Sequence, residues 1–295
     1  MFRKAVKHES KLRLALAGPS GAGKTYTALL LAQSLVGSGN VAVIDTERGS
    51  ASKYADLFPF DVNEIESFSP DVFIAAIREA EAVGYGVLVI DSISHEWNGQ
   101  GGILEIVDSA AKRMKTTNTF SAWGEGTPRH NSFIDAIQRC KMHVICTMRS
   151  KEEHVQEKDS NGRTVIRRVG MAPIQREGIL YEFDVACELD YEHTLIVTKS
   201  RCPALADAVI RKPDASMAET LKAWLSGAPA PAKAPTSKEL YEAGKVASLW
   251  NSAQGYFAFA ASQGVIISAE THNQMSDAQR FQLQAAMKDA QTSAA

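Results

Sequence analysis

Residues 18–25 read Gly-Pro-Ser-Gly-Ala-Gly-Lys-Thr, a G-x-x-x-x-G-K-T loop, and they fall between the apolar run Leu12 to Ala17 and the helical pattern Thr25 to Leu35. That context restricts the chain more than any other feature, because the loop works only between a strand and the helix that leaves it. Its glycines let successive backbone N–H groups turn inward, and the helix start adds partial positive charge, so the loop forms an anion cradle. Gly18, Pro19, Ser20, Gly21, Ala22, Gly23, Lys24 and Thr25 are therefore expected to hold a nucleotide's phosphates. Lys24 neutralises the β and γ phosphates, and the Thr25 hydroxyl reaches Mg²⁺.

Two more apolar runs end in acids. Val87-Leu88-Val89-Ile90-Asp91-Ser92 offers Asp91 as a second holder of Mg²⁺, and Val41 to Ile44 leads into Asp45-Thr46-Glu47. Glu47 has the position of a base or orienting group for an attacking water. Asp45 either shares that task or only caps its strand. Further apolar runs, at His143 to Met148, Val185 to Leu189 and Thr194 to Thr198, alternate at first with helical patterns at Asp71 to Val83, Ile103 to Met114 and Asn131 to Cys140. Such alternation implies an α/β fold with a mostly parallel sheet covered on both faces. After Thr164 the helices give way to successive strands, which predicts an antiparallel edge.

The order of these motifs resembles the RecA family of ATPases over about residues 12–212, and among them the short RecA-like ATPases of bacteriophages that act in single-strand annealing or recombination. The resemblance implies a RecA-type P-loop core that binds and hydrolyses ATP with Mg²⁺, with Glu47 as the water-activating residue. It implies that Lys199 and Arg201, in Thr198-Lys199-Ser200-Arg201, reach the γ-phosphate of a neighbouring protomer in a homo-oligomer. Phe2-Arg3-Lys4-Ala5 resembles the family's oligomerisation tether. One departure stands out: the strand His143 to Met148 leads into Thr147-Met148-Arg149-Ser150, where the family usually carries a glutamine sensor.

The resemblance also implies single-stranded DNA as partner, and two segments fit. His95 to Gly102 carries Trp97 among glycines, a mobile loop able to stack a base. From Arg149 to Arg176 seven Lys or Arg face four acids in a chain of net charge −2, and Asn161-Gly162 marks the turn of a basic hairpin from His154 to Val169 with Arg163, Arg167 and Arg168 at its centre. The overall balance excludes general electrostatic coating of nucleic acid, so contact has to be local.

The core is expected over residues 1–226, closed by a helix Ser216 to Leu225 with a Ser216/Glu219 capping box. An Ala/Pro linker follows at 227–235, and then a helical segment at 236–295 with helices Thr236 to Ala261 and Ser276 to Ala290, a place for a protein partner. Trp123 to His130 reads as an exposed loop. The seven histidines lack metal-ligand spacing, and His143 reads as structural. Four separated cysteines, without a CxxC pair, fit buried reduced thiols in a cytoplasmic protein, and no apolar run is long enough to span a membrane. Two other functions compatible with these motifs are a regulatory or assembly ATPase acting on a protein and a P-loop kinase of small molecules.

Overall fold

The computed structural model describes residues 10–37, 39–115, 119–158, 164–227, 235–268 and 270–294, with side chains at 153–158, 164–169, 277–278 and 293–294 excepted. The described residues fall into two compact units, Met1–Ala230 and Pro231–Ala295.

In the first unit, strand β1 (Arg13–Gly18) feeds helix α1 (Lys24–Val36), then β2 (Val41–Asp45), β3 (Asp61–Glu64), α2 (Pro70–Val83) and β4 (Val87–Asp91). Helices α3 (Ser94–Asn98), α4 (Ile103–Met114) and α5 (Trp123–Arg139) lead to the long strand β5 (His143–Lys158) and its hairpin partner β6 (Thr164–Pro173). Strands β7 (Val185–Leu189), β8 (Thr194–Ser200) and β9 (Val209–Arg211) and helix α6 (Ala215–Ser226) complete it. The sheet order is β3-β2-β4-β5-β1-β7-β8-β9. From β3 to β7 all pairs along this order are parallel, while β8 and β9 add antiparallel pairs at the edge, the mostly parallel sheet with an antiparallel edge that the order of apolar runs predicts.

Both sheet faces are covered, which explains why its strands read as continuous apolar runs rather than alternating ones. Alternation survives only as a division of labour. On β1, Leu14 and Leu16 join the core layer with Leu29, Leu31 and Leu221 of α1 and α6, whereas Ala15 and Ala17 face Phe73, Ile77, Phe133 and Ile137 of α2 and α5. All four cysteines are buried thiols.

Three local expectations change. Helix α5 begins at Trp123, so the stretch expected to be an exposed loop is its first half. Gly126 is what permits this: a Cβ there would lie 2.6 Å from Val107 Cγ2 on α4, and the two helices cross at that point. Helix α6 is capped by Asp214, whose Oδ1 accepts from Ser216 N at 2.9 Å, rather than by Ser216. Loop His95 to Gly102 is instead mostly the short helix α3 and a turn.

The second unit holds α7 (Ser237–Val246), α8 (Ala253–Ser262) and α9 (Asp277–Ala294). The single helix expected from Thr236 to Ala261 is therefore broken. Trp250 folds back so that its Nε1 donates to Tyr241 O at 3.0 Å and its ring lies on Gly244, where any Cβ would meet it within 1.9 Å. Ser252 then caps α8, while Thr236 caps α7 in a capping box with Glu239. Leu240, Tyr256, Met275 and Leu283 give this unit a core of its own.

His143 pins the entry of the central strands. Its Nδ1 accepts from Leu12 N at 3.0 Å, and burial, helped by nearby cations, pushes its pKa down to about 4. A histidine buried neutral gives stability that is complete above its unfolded pKa of about 6.5 and is lost as pH falls from there towards about 4. Partial exposure limits the loss to about 1–2 kcal/mol. His143→Asn keeps an acceptor that does not titrate, so urea unfolding at pH 7 and pH 4.5 should show a smaller fall in stability for the variant than for the unsubstituted protein.

Candidate functional site

The parallel register sets the C-terminal ends of β1, β2 and β4 in line with the first half of β5. Gly18 pairs with Arg149, Ile90 with Cys146, and Asp45 with Asp91. The phosphate loop, the two acidic strand ends and Arg149 consequently open into one cavity of about 1030 Å³. This is the edge of an α/β sheet where ligands bind.

Within the loop, Gly21 and Gly23 have φ of +83° and +85°, a region that side chains with a Cβ rarely enter. Gly18 is needed for another reason, since a Cβ there would sit 2.5 Å from Leu189 O on β7. Lys24 Nζ donates to Pro19 O at 2.8 Å, and burial lowers its pKa against the opposing pull of Asp91 and Glu47.

Asp91 is 2% exposed. Burial pushes its pKa up, while hydroxyls donated by Thr147 to Oδ1 and by Thr25 to Oδ2, the latter at 2.6 Å, favour its charged form. Among the described residues no group of three or more His, Cys, Asp or Glu forms a metal cage. One hydroxyl and one carboxylate in contact beside a phosphate cradle are the hard oxygen donors that suit Mg²⁺, which keeps waters and takes its other ligands from phosphate. Thr25 and Asp91 fit that ion.

Asp45 is likewise buried, and its role is structural: Oδ1 accepts from Glu47 N at 2.5 Å and Oδ2 from Ala51 N at 3.0 Å. These bonds curl the segment after β2 so that Glu47 reaches the cavity. Its carboxylate receives Arg149 Nε at 2.9 Å on Oε1 and Arg149 Nη2 on Oε2, with Ser92 Oγ at 3.4 Å. Burial works to raise the Glu47 pKa, but the Arg149 contacts outweigh it and hold the group below its ordinary value. The cavity lining also includes Tyr26, Leu30, Tyr54, His193 and Pro213, with the Tyr26 and Tyr54 rings 6.0 Å apart.

Other expected site residues lie elsewhere. Lys199 and Arg201 are engaged within their own chain: Lys199 Nζ donates to the carbonyls of Leu180, Tyr181 and Phe183 at 3.1, 2.7 and 2.6 Å, and Arg201 pairs with Asp184 at 3.0 Å. Lys199 thus closes the short helical turn Ile179–Glu182 of its own chain. Trp97 is half-buried, stacked on Trp123 at 5.7 Å and edge-on to His130 at 5.6 Å, so it belongs to a packed aromatic cluster and not to a mobile loop. Arg167 and Arg168 occupy β6 opposite Val155 and His154. Arg163 and the Phe2 to Ala5 segment lie outside the described residues.

Sequence reasoning missed Thr147 and the placement of Arg149. The sequence signal was their place after the run His143 to Met148, where the RecA resemblance calls for a glutamine sensor, but neither residue's contacts follow from that place.

Thr147 supplies one of two hydroxyls to a carboxylate that is almost fully buried. Thr147→Val keeps the volume and removes the donor, and a hydrogen bond to a charged group contributes about 1.5–3 kcal/mol. Denaturant titration at pH 7 should show a loss of that order. Unaltered stability would mean that Thr147 does not support ionised Asp91.

Comparison with known proteins brings in a family and a fold likeness. No curated protein matches the chain. Among solved structures, that of the RadB recombinase is similar with a TM-score of 0.37 and 15% identity, over 64% of this chain and 81% of that one. The sequence model of the AAA domain family matches residues 10–213, a span that contains the phosphate loop, Glu47, Asp91 and Arg149. Since that span is well over half of the sequence, the chain belongs to the AAA domain family.

Proposed function

We propose that this protein binds Mg-ATP in the cavity and hydrolyses it, and that the cycle acts on single-stranded DNA in recombination, repair or replication. The observation that supports the reading most is the meeting of Lys24, Thr25, Asp91 and Glu47 around one cavity whose lining also includes Tyr26, Leu30 and Tyr54. The loop's N–H groups and Lys24 hold the phosphates, and the aromatic and apolar lining residues suit a base. Thr25 and Asp91 hold Mg²⁺, which when bound neutralises charge on the phosphate oxygens. Glu47 takes the proton of the attacking water, or aligns it, and Ser92 steadies its carboxylate.

DNA contact is supported by the way the β5–β6 hairpin leaves the site. Ser150 and Ile174 both line the cavity, and the pairing of Ser150 with Pro173 is the first of a ladder that runs to Lys158 and Thr164. A basic hairpin growing from a nucleotide pocket is well placed to link phosphate state to a bound strand. Self-assembly, a cytoplasmic setting and a setting in phage or bacterial recombination belong to the same reading. A second reading, in which the ATP state regulates a protein partner, draws support from the C-terminal unit with its own core.

Lys24→Ala should abolish nucleotide binding, whereas Glu47→Gln should keep binding and reduce turnover by about 10² to 10⁴, the range of general-base catalysis. Equal loss of binding in both variants would refute the role of Glu47.

Removing one phosphate-binding cation from a single-strand complex lowers the slope of log affinity against log salt by roughly 0.7. Replacing Arg163, Arg167 and Arg168 together by alanine should weaken oligonucleotide binding and flatten that slope by up to about 2, with ATP turnover intact. Unchanged oligonucleotide affinity would turn the balance to the regulatory reading.

A further inference from the structure

The phosphate loop is not the only source of positive charge in the cavity. Arg149 stands opposite Gly18 in the sheet register, and its guanidinium meets both oxygens of Glu47, Nε on Oε1 at 2.9 Å and Nη2 on Oε2. The pair is accessible, with the arginine side chain 47% and the glutamate 24% exposed. Two roles conflict in this arrangement. A carboxylate gripped by a guanidinium fork is a poor proton acceptor, yet Glu47 is the group from which the hydrolysis reading requires base strength.

The conflict has a chemical resolution. A guanidinium fork matches two oxygens of a phosphate as well as two oxygens of a carboxylate, and phosphate is the more highly charged anion. Lys24 is in the same cavity, so an anion that enters beside it also enters the reach of Arg149.

We propose that Arg149 exchanges Glu47 for the terminal phosphate of a bound nucleoside triphosphate, gripping that phosphate and releasing the Glu47 carboxylate in one movement. The proposal rests on the hydrolysis reading and deepens it. Arg149 becomes a catalytic residue, since it touches the substrate, and the freed Glu47 regains the basicity that the pair suppresses. A diphosphate lacks the group that drives the exchange and leaves the pair closed. The backbone of Arg149 is tied to the hairpin as well, with Ile174 N donating to its carbonyl at 2.6 Å and Ser150 beginning the ladder, so the side chain that distinguishes tri- from diphosphate sits where the hairpin is rooted.

The test measures affinities of the full chain for fluorescent ATP and ADP analogues with Mg²⁺. Arg149→Gln should weaken ATP on the order of 10- to 100-fold and leave ADP within about 3-fold. Glu47→Gln should act in the opposite sense, tightening ATP relative to ADP, because the competitor for Arg149 is gone. That gain should vanish in the double variant Arg149→Gln, Glu47→Gln. Arg149→Lys, which keeps the charge without the fork, should recover part of the ATP affinity, and thermal unfolding of each variant identifies any that fails to fold. An ATP to ADP ratio unmoved in folded Arg149→Gln, with Lys24-dependent binding intact, overturns the exchange alone. Absence of Lys24-dependent binding in the unsubstituted protein overturns the hydrolysis reading and the exchange together.

Discussion

A buried carboxylate organises this molecule. Asp91 ends the central strand β4 almost without contact with water, and an isolated charge in that position would neutralise itself by taking up a proton. It is offered two hydroxyls instead, Thr25 from the first turn of α1 and Thr147 from β5. These bonds tie the helix after the phosphate loop, the acidic strand and its neighbour to one point. The stability of the sheet edge and the position of the proposed Mg²⁺ ligand thereby depend on the same three side chains.

The parallel sheet turns that point into a site. Strands that run the same way deliver all their C-terminal ends to one edge, and right-handed crossovers carry the helices away to the two faces. Lys24, Glu47, Asp91 and Arg149, up to 125 positions apart in the chain, reach one cavity because of this geometry and not because of local sequence. Asp45 illustrates the supporting layer: its carboxylate is spent on two backbone amides, and the curl it imposes is what presents Glu47.

Charges outside the cavity show how readily a cation suited to phosphate is taken by the fold. Lys199 satisfies three carbonyls of a short helical turn, and Arg201 is held by Asp184. Both had the spacing of residues that reach across to a neighbouring protomer. Their side chains are long and their partners come from segments distant in sequence, so spacing along a strand says little about which way they serve. Trp97 follows the same logic, being claimed by Trp123 and His130 once Trp123 is seen to begin a helix.

The sequence alone determined the α/β class, the phosphate loop with its flanking strand and helix, and the acidic ends at Asp91 and Glu47. These rest on periods and spacings within about a dozen residues, where backbone geometry ties pattern to structure. It misread what depends on contacts from far away. Gly124, Gly126 and Pro128 have the composition of a loop, yet they lie in α5, and of the three Gly126 packs closely against Val107 of α4; Trp250 interrupts a pattern that reads as one continuous helix. Only the tertiary structure decided that Arg149 and Glu47 face each other, because strand order and register set that pairing across a separation of 102 positions and no local propensity encodes either.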